Sequence, residues 1–64
     1  MDITNYKEMD TYMLLSIINL KLRDYYSNLD IMCEDLSLDK EILGQRLKEC
    51  GYIYSEENNQ FVAE

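Results

Sequence analysis

The sequence predicts a mainly α-helical domain with a small β-hairpin, a three-helix arrangement of the helix-turn-helix or winged-helix kind. Three observations predict it. Apolar residues recur at helical spacing from about 11 to 50, Gly51 interrupts that pattern, and alternating apolar and polar residues follow up to Val62. The pattern occupies the whole of a 64-residue chain, so one domain spanning 1–64 is expected.

The first helix is predicted over about 11–25, with Asp10 as its N-cap. Residues 1–9 form a polar lead-in, with Ile3 and Tyr6 as its apolar anchors. Leu14, Leu15, Ile18, Leu22, Tyr25 and Tyr26 project to one side of this helix and form a core stripe. Met13, Ile17 and Leu20 fall on a different arc, beside Ser16 and Asp24. One helix thus carries two apolar surfaces.

A second, shorter helix is predicted over about 29–36, capped by Ser27 or Asn28. Its inner side is Leu29, Met32, Cys33 and Leu36, and Ile31 stands among the acids of its outer side. The third helix is predicted over about 39–50, with Asp39 or Ser37 as its cap. Ile42, Leu43, Leu47 and Cys50 face inward, and Gly51 sits where a left-handed residue ends a helix. Strands around Tyr52–Tyr54 and Gln60–Val62 make a hairpin over about 52–62. Asn58 and Asn59 supply the turn, because Asn tolerates positive φ.

The last two helices carry the apolar positions of a helix-turn-helix. Cys33 takes the small position where the helices approach, Ser37 starts the turn and Leu38 plugs into the core. Leu43 and Leu47 line the inner face, and the hairpin entered through Gly51-Tyr52 stands where a wing would be.

Composition narrows the functions this scaffold can serve. Thirteen acids against six Lys and Arg give a net charge of −7, which disfavours phosphate backbones and anionic membrane surfaces. A duplex-reading helix needs basic and amide side chains outward. The third helix offers Lys40, Gln45 and Lys48 there, but also Glu41 and Glu49. Asp30, Glu34 and Asp35 on the second helix and Glu56 and Glu57 at the wing tip add acid where phosphate would lie. A DNA-binding regulator acting as a dimer is therefore the alternative reading.

Enzyme chemistry is not expected. There is no His, so Ser16, Ser27, Ser37 and Ser55 have no imidazole base. Cys33 and Cys50 alone cannot build a tetrahedral zinc site and are not spaced as a redox pair; both read as small apolar residues. No Asp-rich calcium loop occurs. No cofactor, metal or small-molecule substrate is expected, and a chain this short is not expected to enclose a large pocket. The stretch around 12–22 is too short and too polar to span a bilayer, and the N-terminus has no basic leader, so the expected location is the cytoplasm.

The arc of Met13, Ile17 and Leu20, which Ile31 could extend, is the candidate site. Its bland reading is an inner surface covered by Ile3, Tyr6 or Phe61. Its functional reading is a protein–protein interface, most simply that of a symmetric dimer.

The runs Met13-Leu14-Leu15-Ser16, Lys21-Leu22-Arg23-Asp24, Leu29-Asp30 with Cys33, Gly51-Tyr52-Ile53-Tyr54 and Asn59-Gln60-Phe61 resemble a small bacterial family catalogued as domain of unknown function forty-two fifty. The resemblance runs from about 10 to 62 and implies a stand-alone bacterial protein. It implies no activity, substrate or site residue. Read physically, Arg23 holds the end of the first helix or an acid beside it, Arg46 is a candidate partner for Asp24, and Asn59 and Gln60 serve turn geometry.

Overall fold

The computed structural model describes residues 5–64. Ile3, one of the two expected N-terminal anchors, lies outside them. Three helices precede a hairpin: α1 (Thr11–Asp24), α2 (Leu29–Leu36), α3 (Lys40–Lys48), β1 (Tyr52–Ser55) and β2 (Gln60–Ala63). This is the order of a winged-helix-like domain.

Each helix starts on a side chain that relieves its orphan N–H groups. Asp10 Oδ2 accepts from Met13 N at 3.0 Å. Asn28 Oδ1, not Ser27, accepts from Ile31 N at 2.8 Å. Asp39 Oδ1, not Ser37, accepts from Glu41 N and Ile42 N. Such caps each stabilise by about 1 kcal/mol. Ser37 instead ends α2 in the left-handed region at φ 58°, and Leu38 N returns to Cys33 O at 2.8 Å. The helix-turn-helix bend is thus a left-handed C-cap followed at once by the next N-cap.

α3 ends at Lys48, two residues before the sequence predicts. Cys50 N and Gly51 N bond back to Leu47 O and Lys48 O, three residues behind each, so the last turn tightens. Gly51 follows at φ 86°, where a side chain would be strained, and turns the chain into β1. The strands pair antiparallel with Tyr52 opposite Ala63 and Tyr54 opposite Phe61.

The core lies where α1 packs on α2, α3 and β2 and where α3 meets β1. Leu14, Ile18, Leu22, Met32, Leu43 and Leu47 are fully enclosed. Each is worth roughly 1.5–3 kcal/mol of transfer free energy, so truncation of any one to Ala threatens a domain this small. Cys33 is buried as predicted, but Cys50 is only half-buried. Tyr6 is the anchor of the lead-in: its ring is buried and its hydroxyl accepts from Asp39 N at 3.1 Å. The Arg46 guanidinium also reaches back, to Met9 O, and pairs with Glu49. Arg46 is therefore not the partner of Asp24; Arg23, its neighbour in the chain, is.

Two core assignments change. Tyr25 is 74% exposed, because the helix stops at Asp24 and Tyr25 has left helical geometry at φ −125°. Ile17, set on the second arc by its spacing, is 8% exposed and belongs to one core cluster with Tyr6 and Phe61, so for this residue the covered reading of the arc holds. It lies at the edge of the arc nearest Leu14, and the packed core is wider than one stripe.

Candidate functional site

The outer face of α1 holds two of the apolar side chains that folding leaves uncovered, with Ile31 on α2 and Ile53 on β1 exposed elsewhere. Met13 is 57% exposed and Leu20 is 45% exposed, two turns apart on the same side. Such spacing repeats every seven residues and aligns the two along one ridge. Ser16 lies between them and is exposed, so the face dips at its middle. Of the three residues expected on this arc, the structure keeps Met13 and Leu20 outside and takes Ile17 inside. Ile31 is 47% exposed on α2 and lines neither of the grooves that flank Leu20. The structure does not join it to the α1 face.

Leu20 separates two open grooves. The first, about 660 Å³, is bounded by Ser16, Ile17, Leu20, Lys21, Tyr25 and Tyr26, and its walls are mostly apolar. The second, about 500 Å³, runs on the other side between α1 and the hairpin, with Ser16, Leu20, Arg23, Tyr52 and Gln60 among its walls. Both hollows are open surface grooves, a way for so short a chain to form several hundred cubic ångströms without enclosing them.

Tyr25 and Lys21 are parts of this surface that periodicity did not mark. Tyr25 would have been found by ending the helix at the Asp24 carboxylate. Lys21 would have been found by following Ile17 one turn onward. Tyr12, at the N-terminal end of the same helix, is also exposed.

Charge is graded along the same helix. Glu8 and Asp10 stand at its N-terminal end, and Lys21 and Arg23 lie in its last turn. Arg23 donates to both oxygens of Asp24, at 3.0 and 3.1 Å. That hydrogen bond holds the Asp24 carboxyl below the usual carboxylate range and keeps the adverse acid at a helix C-terminus paired.

The outer face of α3 is arranged differently. Lys40 Nζ pairs with Asp30 of α2 at 2.7 Å, and this hydrogen bond raises the Lys40 pKa. Gln45 and Lys48 are exposed on the same helix, interspersed with exposed Glu41 and Glu49. Glu56 and Glu57 are exposed at the hairpin turn. Lys40, Gln45 and Lys48 thus share a helix but do not form an uninterrupted basic surface.

The hairpin is fastened to α1 by carboxamides. Asn19 bonds both backbone groups of Phe61, Gln60 Nε2 donates to Asn19 O at 2.9 Å, and Asn59 Nδ2 donates to Leu22 O and Tyr26 O. Asn59 and Gln60 therefore do more than shape the turn. Among the described residues no three His, Cys, Asp or Glu side chains gather as a metal site, and no helix is long and apolar enough to cross a membrane.

No curated protein and no solved structure matches the chain. Residues 8–61 match one family, and the match takes in α1, the helix-turn-helix unit, β1 and the start of β2, together with Asn19, Tyr54, Asn59 and Gln60. The chain belongs to the family described as Domain of unknown function (DUF4250).

Proposed function

We propose that this chain is a non-enzymatic protein–protein interaction module, built on a winged-helix-like scaffold, whose working surface is the outer face of α1. The observation that carries this reading is the exposure of Met13 and Leu20 on one ridge beside a mostly apolar groove of about 660 Å³. Folding has buried the other stripe of the same helix, so the helix is amphipathic twice over. Exposed apolar area gathered next to a groove is the usual mark of a partner surface. The sequence supports the absence of catalysis, since the chain has no His to serve as a general base.

Reading DNA through α3 is the less favoured assignment. Its most favourable cation, Lys40, is committed to Asp30, and acids flank Gln45 and Lys48.

A photoreactive side chain placed at Leu20, and separately at Gln45, tests the assignment in cells. Discrete protein adducts from position 20 and none from position 45 are the expected result. No protein adduct from position 20 would overturn the proposal.

A further inference from the structure

We propose that the α1 face receives a second copy of this chain, the two α1 helices lying antiparallel about a two-fold axis that passes between positions 16 and 17. The inference rests on the interaction reading above and names its partner.

Shape supplies the first argument. A two-fold contact uses one patch twice, so the patch must carry both a projection and the hollow that accepts it. Leu20 is such a projection, with a groove on each side, and the two grooves share Ser16 and Leu20 as walls. Ser16, small and exposed at the middle of the face, lets two helices come close where they cross.

Charge supplies the second. The chain carries −7 overall, so two copies repel unless the contact is made where cations are available. Lys21 lies in the last turn of α1, beside an Arg23 already paired to Asp24, while Asp10 and Glu8 lie at its start. An antiparallel partner brings opposite ends together. In the register that sets Met13 against Leu20 of the second copy, Asp10 lies within one turn of the second copy's Lys21, on the same flank of the helix. A parallel pairing would instead set Lys21 on Lys21 and Asp10 on Asp10. The helix dipoles also favour the antiparallel arrangement.

Size fixes the strength. α1 has 14 residues, a length of about 21 Å at about 1.5 Å per residue. A contact along one such helix falls at the small end of specific interfaces, so association belongs in the micromolar range or weaker.

Sedimentation of the full chain from micromolar to hundreds of micromolar is the first measurement. The expected result is a reversible shift from 7.7 kDa to twice that mass. Leu20→Glu and Met13→Glu, both at exposed positions, should each weaken it at least ten-fold while the circular dichroism stays unchanged. Orientation is read by cysteine pairing in a Cys50→Ser background. A mixture of Met13→Cys and Leu20→Cys chains should form a disulfide-linked dimer on mild oxidation, whereas each variant alone should not. In the antiparallel register the two copies of position 13 lie about 10 Å apart along the axis. Self-linking of each variant alone would show a parallel pairing and overturn the proposal. A monomer at every concentration would overturn it too. If that monomer still gave protein adducts of a different mass from position 20 in cells, the interaction reading would stand without the second copy. No adduct at all would remove both.

Discussion

The Asn19 carboxamide acts as a one-residue strand against Phe61: its Nδ2 donates to Phe61 O at 3.0 Å and its Oδ1 accepts from Phe61 N at 2.7 Å. These are the backbone groups that β2 turns outward, away from β1. Without Asn19 they would face the partly buried junction between helix and hairpin with nothing to bond. Phe61 itself is buried, so water reaches them poorly.

Asn19→Ala should therefore cost about 2–4 kcal/mol, the desolvation of two stranded backbone groups, and most of it should appear as a lower urea midpoint. Asn19→Asp keeps the acceptor for Phe61 N but sets a carboxylate against Phe61 O, so it should fare no better than Ala. Hydrogen exchange at the Phe61 amide is the direct reading. Protection unchanged in Asn19→Ala would show that the junction stands without the carboxamide.

Asn59 joins three elements and has two separable roles. It sits at φ 52°, its Nδ2 donates to Leu22 O and Tyr26 O at the end of α1, and its Oδ1 accepts from Tyr54 Oη at 2.7 Å. Tyr54 Oη in turn accepts from Leu29 N at the start of α2. Asn59→Gly keeps the backbone easy and loses the hydrogen bonds, which costs about 1–3 kcal/mol. Asn59→Ala loses the same bonds and also strains the left-handed residue, an additional cost of about 1 kcal/mol. Tyr54→Phe should couple with either variant in a double-mutant cycle, because it removes the hydroxyl they share. Equal stability of the Gly and Ala variants would sink the backbone half of this account.

How far these features could be read beforehand depends on whether their causes are local. Asp10, Asn28 and Asp39 were readable as caps, and Gly51 and Asn59 as left-handed residues, because each depends on a few neighbours in sequence. Projecting α1 on a wheel set Met13 and Leu20 apart from the core stripe but left open whether they were covered, and the structure leaves both exposed. The projection also set Ile17 apart and counted Tyr25 in the core, since a wheel knows neither how wide the neighbouring elements make the core nor where the helix stops. The carboxamide ties from Asn19, Asn59 and Gln60 were not readable. They connect residues about forty positions apart, and a polar residue in a helix or turn looks solvated until its partner is placed. The grooves beside Leu20 were invisible for the same reason, since one of them needs Tyr52 and Gln60 brought to α1.

A duplex titration separates the two uses of the scaffold. With Lys40 tied to Asp30 and acids beside Gln45 and Lys48, no binding is expected even at low salt. Affinity that fell steeply with salt and vanished in a Lys40/Gln45/Lys48 triple alanine variant would instead assign α3 to nucleic acid.

The two thiols should differ sharply. Cys33 is 5% exposed on α2, and burial pushes its thiol pKa up, with Lys40 opposing and Asp30 and Asp39 adding to the shift. Cys50 is half-buried at the end of α3, with its Sγ–H directed to Leu47 O. A thiol reagent at mildly alkaline pH should label Cys50 first and Cys33 only as fast as the domain opens, so urea should accelerate Cys33 selectively. The sign of the pH effect follows from the direction of the shift. The native state keeps the Cys33 proton at a pH where the unfolded chain has lost it, so this contribution is whole below the unfolded thiol value, about 8.5. It is lost as pH rises through the higher native value. Tyr26 behaves alike further up the scale, since its hydrogen bond to Asp35 raises its phenol pKa. Stability should therefore decline above about pH 8.5, and Cys33→Ala should remove the first part of that decline while Tyr26→Phe leaves it in place. Equal labelling rates for the two cysteines in the native protein would show that α2 opens readily and that Cys33 is not part of a closed core.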